Sequence, residues 1–145
     1  MAAFSFAESW VAPAPVDEVA AVVTDLEYYP QWWSEVRAVA KLGPDTARVL
    51  LRAALPYTLD VVLDAVCREP PVLEVAVTGA MTGWVRWGLT AVPGGTRCDY
   101  TQEVEVHGAL AVASYVARPA LTWNHRRSMR GCAAGLRRRL AERAR

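Results

Sequence analysis

With 145 residues, the chain is too short for two ordinary domains and long enough for one substantial core. Hydrophobic residues make up 53% of it and charged residues 21%, which excludes a disordered protein. The net charge of +1 conceals an asymmetry: residues 126–145 hold eight arginines and one glutamate, so the rest of the chain is acidic on balance.

Residues 2–11 alternate, with Phe4, Phe6, Glu8 and Trp10 on one face, which predicts a strand. Ala12-Pro13-Ala14-Pro15 ends it. From Val16 to Thr24 apolar residues recur at helical spacing, and Asp17 and Glu18 occupy the first turn, where carboxylates are favoured. A second short helix or turn opens at Asp25 and carries Tyr28, Tyr29, Trp32 and Trp33; the core should take about half of this cluster.

The period then changes to two. Segments 35–42, 48–53, 57–68, 73–78, 84–91 and 97–106 each alternate polar with apolar residues. Turn signals separate them: Gly43-Pro44-Asp45, Pro70-Pro71, the stretch from Gly79 to Gly83, and Pro93-Gly94-Gly95, the clearest hairpin signal in the chain. In the last segment Cys98, Tyr100, Gln102, Val104 and Val106 face inward, and Arg97, Asp99, Thr101, Glu103 and Glu105 face outward. Six strands with one wet and one dry face describe an antiparallel sheet. The dry face needs a cover, and only residues 113–143 are long enough to supply it. On a helical wheel Leu121, His125, Met129, Cys132, Leu136 and Leu140 share one side, with most arginines opposite.

Local signatures accompany this order. They are Ala14, Pro15 and Val19 at the first helix, then Thr24-Asp25 and Tyr29-Pro30-x-Trp32-Trp33. Gly83 follows, with Arg86-Trp87-x-Leu89, then Gly94-Gly95-Thr96, and Ala117-Arg118-Pro119-Ala120-Leu121 through His125, Met129 and Gly135-Leu136. Together they resemble the START-like (SRPBCC) superfamily, in particular its polyketide cyclase/dehydrase and lipid transport branch. The resemblance covers the whole chain, 1–145, as one domain. It implies an α+β helix-grip fold: a curved antiparallel sheet of about seven strands wrapped around a long C-terminal helix, with two short helices after the first strand. It also implies an apolar cavity between sheet and helix, a natural small-molecule site. It does not specify activity, since fold does not imply function.

The sequence excludes several chemistries. His107 and His125 stand apart with no cysteine or carboxylate cluster at ligand spacing, so no metal site is expected. There is no P-loop, dinucleotide fingerprint or nucleophile elbow, so no cofactor is expected. No apolar run has the length of a membrane span, and the first fifteen residues lack a basic leader with an apolar segment, so neither a span nor a secretory signal is expected. Cys67, Cys98 and Cys132 form no close pair; all three read as small inward residues, reduced in a cytoplasmic protein.

What remains is a set of polar groups on inward faces. The expected ligand-binding wall is Tyr57, Leu59, Val61, Trp87, Leu89, Tyr100 and Gln102 from the sheet, with His125 and Met129 from the helix. A buried polar group left unpaired costs roughly 1–3 kcal/mol, so each must find a partner or a ligand. The plainer reading stands beside each one. Gln102 satisfies itself on backbone or water, His125 is a core histidine, Glu8 marks the sheet edge, and the tyrosines and Trp87 are walls. No catalytic residue is identified. The strand arginines Arg37, Arg48, Arg52, Arg68 and Arg86 read outward, which leaves Arg118 as the candidate for the cavity mouth.

The leading reading is a carrier or binding protein for a lipid, isoprenoid or polyketide-like molecule. The alternative is an aromatase/cyclase-type enzyme acting on a bound polyketone without a cofactor, which needs the substrate held folded and one or two groups to move protons. The arginine-rich terminus reads first as a solvated helix face whose cations oppose the macrodipole. An acidic partner or transient contact with a membrane surface is its alternative; nucleic acid is not expected, since the rest of the chain is acidic. Monomer and homodimer are both compatible with the sequence.

Overall fold

The computed structural model describes residues 2–144; Met1 and Arg145, the last of the eight arginines, lie outside the described residues. Strand β1 (Ala2–Ala12) leads into helix α1 (Val16–Val23), a 3-10 turn (Leu26–Tyr28) and the short helix α2 (Tyr29–Trp32). Six strands follow: β2 (Val36–Lys41), β3 (Thr46–Leu51), β4 (Leu59–Cys67), β5 (Val72–Gly79), β6 (Met81–Val92) and β7 (Gly95–Val106). Helix α3 (Gly108–Arg143) ends the described chain.

All neighbouring strands pair antiparallel in the order β1-β7-β6-β5-β4-β3-β2, so the first strand closes onto the last. Apart from the helical connection between β1 and β2, consecutive strands are joined by turns or loops of one to seven residues, and at Pro93-Gly94 a two-residue hairpin closes with Val92 paired to Gly95. Gly94 has φ 91°, a left-handed conformation that glycine adopts without steric cost.

Alternation fixes which side chains meet across the sheet. Phe6, Gln102 and Val85 form one inward row; Glu8, Tyr100, Trp87 and Leu73 form the next; Trp10, Cys98 and Leu89 form a third. The opposite face is wet and ion-paired, with Arg48 on Asp60 and Arg86 on Glu74. Such exposed pairs contribute about 0–1 kcal/mol each and serve mainly to keep that face in water.

Helix α3 begins five residues earlier than the periodicity predicts and is bent. Ala117 departs from helical geometry (φ −116°, ψ 19°), two residues before Pro119, whose ring and missing N–H break the ladder of the preceding turn. The earlier start is hidden in sequence by Gly108, a poor helix former at the first position; the Ala-Leu-Ala-Val-Ala run that follows it favours a helix. Beyond the bend, Leu121, Met129, Cys132, Leu136 and Leu140 are buried on one side. At Gly135 the helix meets the backbone of Trp32 so closely that a Cβ would overlap the Trp32 carbonyl oxygen. Only glycine lets α2 seat there.

Two expectations need correction. Of the cysteines, Cys98 and Cys132 are buried but Cys67 is exposed. It follows a register shift at Ala65/Cys67, where β4 leaves the covered part of the sheet and alternation no longer means burial. The aromatic cluster is more buried than half: Tyr29, Trp32 and Trp33 are in the core and only Tyr28 is exposed.

Candidate functional site

A cavity of about 270 Å³ lies between the inward rows of the sheet, the 3-10 and α2 region, and the inner face of α3. Its sheet wall is apolar, with Val49, Val61, Val77 and Val104 among the buried side chains. The helix contributes Leu110, Leu121, Asn124, His125, Ser128 and Met129. The exposed part of the lining gathers around the ion pairs Lys41–Glu27 (3.6 Å) and Arg68–Asp45 (2.7 Å), which mark the open side.

Eight of the nine residues expected at the wall border this cavity: Tyr57, Leu59, Val61, Trp87, Tyr100, Gln102, His125 and Met129. Leu89 does not. It is buried in the Trp10–Cys98–Leu89 row, beyond the aromatic layer, where α1 packs against the sheet. That layer is built from edge contacts of Trp10 on Trp87 and Trp87 on Tyr100, each with ring centres 5.4 Å apart. It separates a solid half of the molecule from the half that holds the cavity.

The polar groups in the wall fall into three sets. On β7 the Tyr100 hydroxyl donates to Gln102 Oε1, two residues along the same face. Burial pushes the Tyr100 phenol far above its usual range, so it stays protonated. On the helix side, Asn124 Oδ1 accepts from the Leu55 backbone N–H at 3.0 Å, and its Nδ2 donates to the Tyr57 hydroxyl at 2.9 Å. Asn124 thus ties the loop before β4 to α3. Burial raises the Tyr57 phenol, and the bond from Asn124 partly offsets this.

The third set is His125 alone. Its ring lies against Phe6, tilted by 30° with centres 3.7 Å apart, and is 6.3 Å from the Tyr100 ring. Its Nε2 is buried and has no hydrogen-bond partner among the described residues. Burial, assisted by the neighbouring Arg126 charge, pushes its pKa down to about 4. At neutral pH the imidazole is therefore uncharged. His107 takes no part: it sits at the start of α3 with its Nε2 2.8 Å from the Thr82 hydroxyl.

Three placements differ from the sequence reading. Arg118 lies outside the cavity, its guanidinium 4.1 Å over the Phe4 ring and bonded to the Ala3 carbonyl at 2.5 Å. The arginines that do border the cavity are Arg52 and Arg68, at opposite ends of the β3–β4 pair, because each strand ends there and outward residues reach the rim. Glu8 borders a separate shallow groove between β1 and α3 rather than the cavity. Asn124 was not legible as a site residue. Its signal is an asparagine one turn from Leu121 and Ser128 inside a helix, where it has poor intrinsic propensity.

Solved structures share this architecture. A protein of Thermus thermophilus superposes with a TM-score of 0.83 at 17% identity, over 98% of this chain and 100% of its own. The Zhui aromatase/cyclase from Streptomyces sp. R1128 gives 0.78 at 15% identity, over 99% and 97%. A START superfamily protein from Mycobacterium smegmatis gives 0.78 at 16% identity, over 95% and 97%. At these identities the likeness shows the fold alone. None of the curated proteins compared with the chain matches it. The sequence profile of one family matches residues 3–140, nearly the whole length over which the sheet, the cavity and the long helix are built, and the chain belongs to that family: polyketide cyclase / dehydrase and lipid transport.

Proposed function

We propose that residues 1–145 form one ligand-binding domain that holds a hydrophobic small molecule between the sheet and α3 and acts as a carrier or binding protein. The observation that supports this most strongly is His125: a neutral imidazole in an apolar wall with a buried, unpartnered Nε2. A ligand hydroxyl or carbonyl would satisfy it, and Phe6 and Trp87 would supply apolar contact. Tyr57, Leu59, Val61, Tyr100, Gln102 and Met129 complete the proposed binding wall. A volume of about 270 Å³ suits a compact isoprenoid or polyketide-like ligand better than a two-chain phospholipid. The three free thiols fit a reducing compartment such as the cytoplasm.

Native mass spectrometry of the purified protein, with thermal shifts across isoprenoid and polyketide panels, tests this reading. A true ligand at about a hundredfold excess over its Kd adds about 2.7 kcal/mol of stability. Absence of any bound mass together with no shift across the panels would sink the proposal.

One observation favours a cyclase-type reading as well. The neutral His125 and the Tyr100–Gln102 pair share the cavity, and Nε2 can accept a proton from a bound polyketone. Incubation with a poly-β-keto thioester decides it: an enzyme alters the product pattern, and His125→Leu abolishes the alteration.

A further inference from the structure

The outer face of α3 carries a stripe that no other element covers. At 100° per residue, Val112, Tyr115 and Val116 before the bend at Ala117 share an arc of about 100°, as do Trp123, Arg126, Arg127 and Arg130 after it, and all seven are exposed. Val112 is 70% exposed, Tyr115 76%, Val116 88% and Trp123 46%. A continuous exposed apolar stripe on a protein surface calls for a partner. The three arginines that extend it have no carboxylate within salt-bridge reach among the described residues. Trp123 stands at the junction, with the Arg127 guanidinium 5.7 Å from its ring centre. Beside it runs the shallow groove in which Arg118, Arg126 and Arg130 outnumber one carboxylate, Glu8.

We infer that this face docks on an anionic phospholipid surface. Apolar side chains followed by a tryptophan and a cluster of unneutralised arginines match the layers of a bilayer interface. Val112, Tyr115 and Val116 enter the boundary between headgroups and acyl chains, Trp123 sits at that boundary, and the arginines meet the anionic headgroups. A second copy of the chain fits less well. A two-fold pairing of the stripe on itself would bury arginines with no carboxylate from the stripe to meet them. Docking would bring the N-terminal half of the helix that roofs the cavity, through Leu110 and Leu121, to the phase in which apolar molecules collect. The inference does not depend on what the cavity holds.

Co-sedimentation with vesicles tests it. The protein should pellet with vesicles of phosphatidylcholine and phosphatidylserine in equal parts, far less with phosphatidylcholine alone, and salt should release it. Each basic residue near an anionic surface contributes about a fivefold gain in partitioning, so the triple change Arg126→Gln, Arg127→Gln and Arg130→Gln should cost about 100-fold. Val116→Ser should weaken partitioning while leaving the thermal midpoint unchanged, because its side chain is 88% exposed; Trp123→Ser should weaken partitioning as well. The inference is overturned by failure to pellet with either vesicle, by equal binding to both, or by full binding of the triple variant. A dimer in sedimentation velocity that Val116→Ser dissociates would also overturn it, by assigning the stripe to a second copy.

Discussion

The burial of His125 has a consequence for stability that can be measured without knowing any ligand. An unfolded histidine titrates near pH 6.5, and in the fold His125 titrates at about 4. Between these values the unfolded chain binds a proton that the native protein does not, so stability falls as pH drops from 6.5 toward 4. At about 1.36 kcal/mol per pH unit, the full loss attributable to this one residue is about 3 kcal/mol. His125→Leu removes the titrating group and the unpartnered nitrogen together, and leucine suits contact with Phe6. The variant should match or exceed the wild type above pH 6.5 and should lack this share of the acid loss. Urea denaturation of both proteins across this range is the assay. Carboxylates elsewhere titrate alike in the two proteins, so the difference between the curves isolates His125. Parallel curves would refute the reasoning, because they would mean that the imidazole reaches water or a partner in the fold.

Other expectations follow from single contacts. Gly135→Ala drives a methyl group into the Trp32 carbonyl and should destabilise by about 1–3 kcal/mol, read as a lower thermal midpoint, unless α2 can move away. Asn124→Leu strands the Leu55 N–H and the Tyr57 hydroxyl and should cost about 1–3 kcal/mol, checked by urea denaturation at neutral pH. With a maleimide under native conditions, mass spectrometry should find one label, on Cys67. Cys98 and Cys132 are buried, and burial raises both thiols, that of Cys98 to about 11.

Strand alternation made the sheet legible. A single row pattern such as Cys98, Tyr100, Gln102, Val104, Val106 assigns every residue of β7 to a face, and the structure buries all five. Alternation carries no information about depth along the sheet, however. Leu89 and Trp87 read identically in sequence, yet one lies in the solid half and the other borders the cavity, because only the position of α1 distinguishes their rows. Cys67 shows a second limit, since a register shift of one residue is invisible to period-two counting. Asn124 shows a third. Its role depends on a partner 67 residues away, Tyr57, and on a loop nitrogen that no local pattern reveals.

The arginines of α3 read as a single solvated face in sequence, and the fold divides them in two. Arg138 donates to the carbonyls of Gln31 and Trp32 at 3.4 and 3.3 Å, and so satisfies acceptors at the end of α2, where a cation also opposes the helix dipole. Arg137 reaches the Val11 carbonyl at 3.3 Å, and Arg139 reaches the Gln31 side chain at 3.4 Å. These three fasten the helix to β1 and α2 around the Gly135 contact, so their charges are engaged within the molecule. Arg126, Arg127 and Arg130 lie up to three turns earlier on the exposed face of the helix, and make no comparable bonds to backbone or carboxylate among the described residues. Neutralising the first group should therefore lower the thermal midpoint and leave vesicle binding nearly intact; neutralising the second should do the reverse. An equal effect of both groups on stability would mean that the division drawn from these hydrogen bonds is wrong.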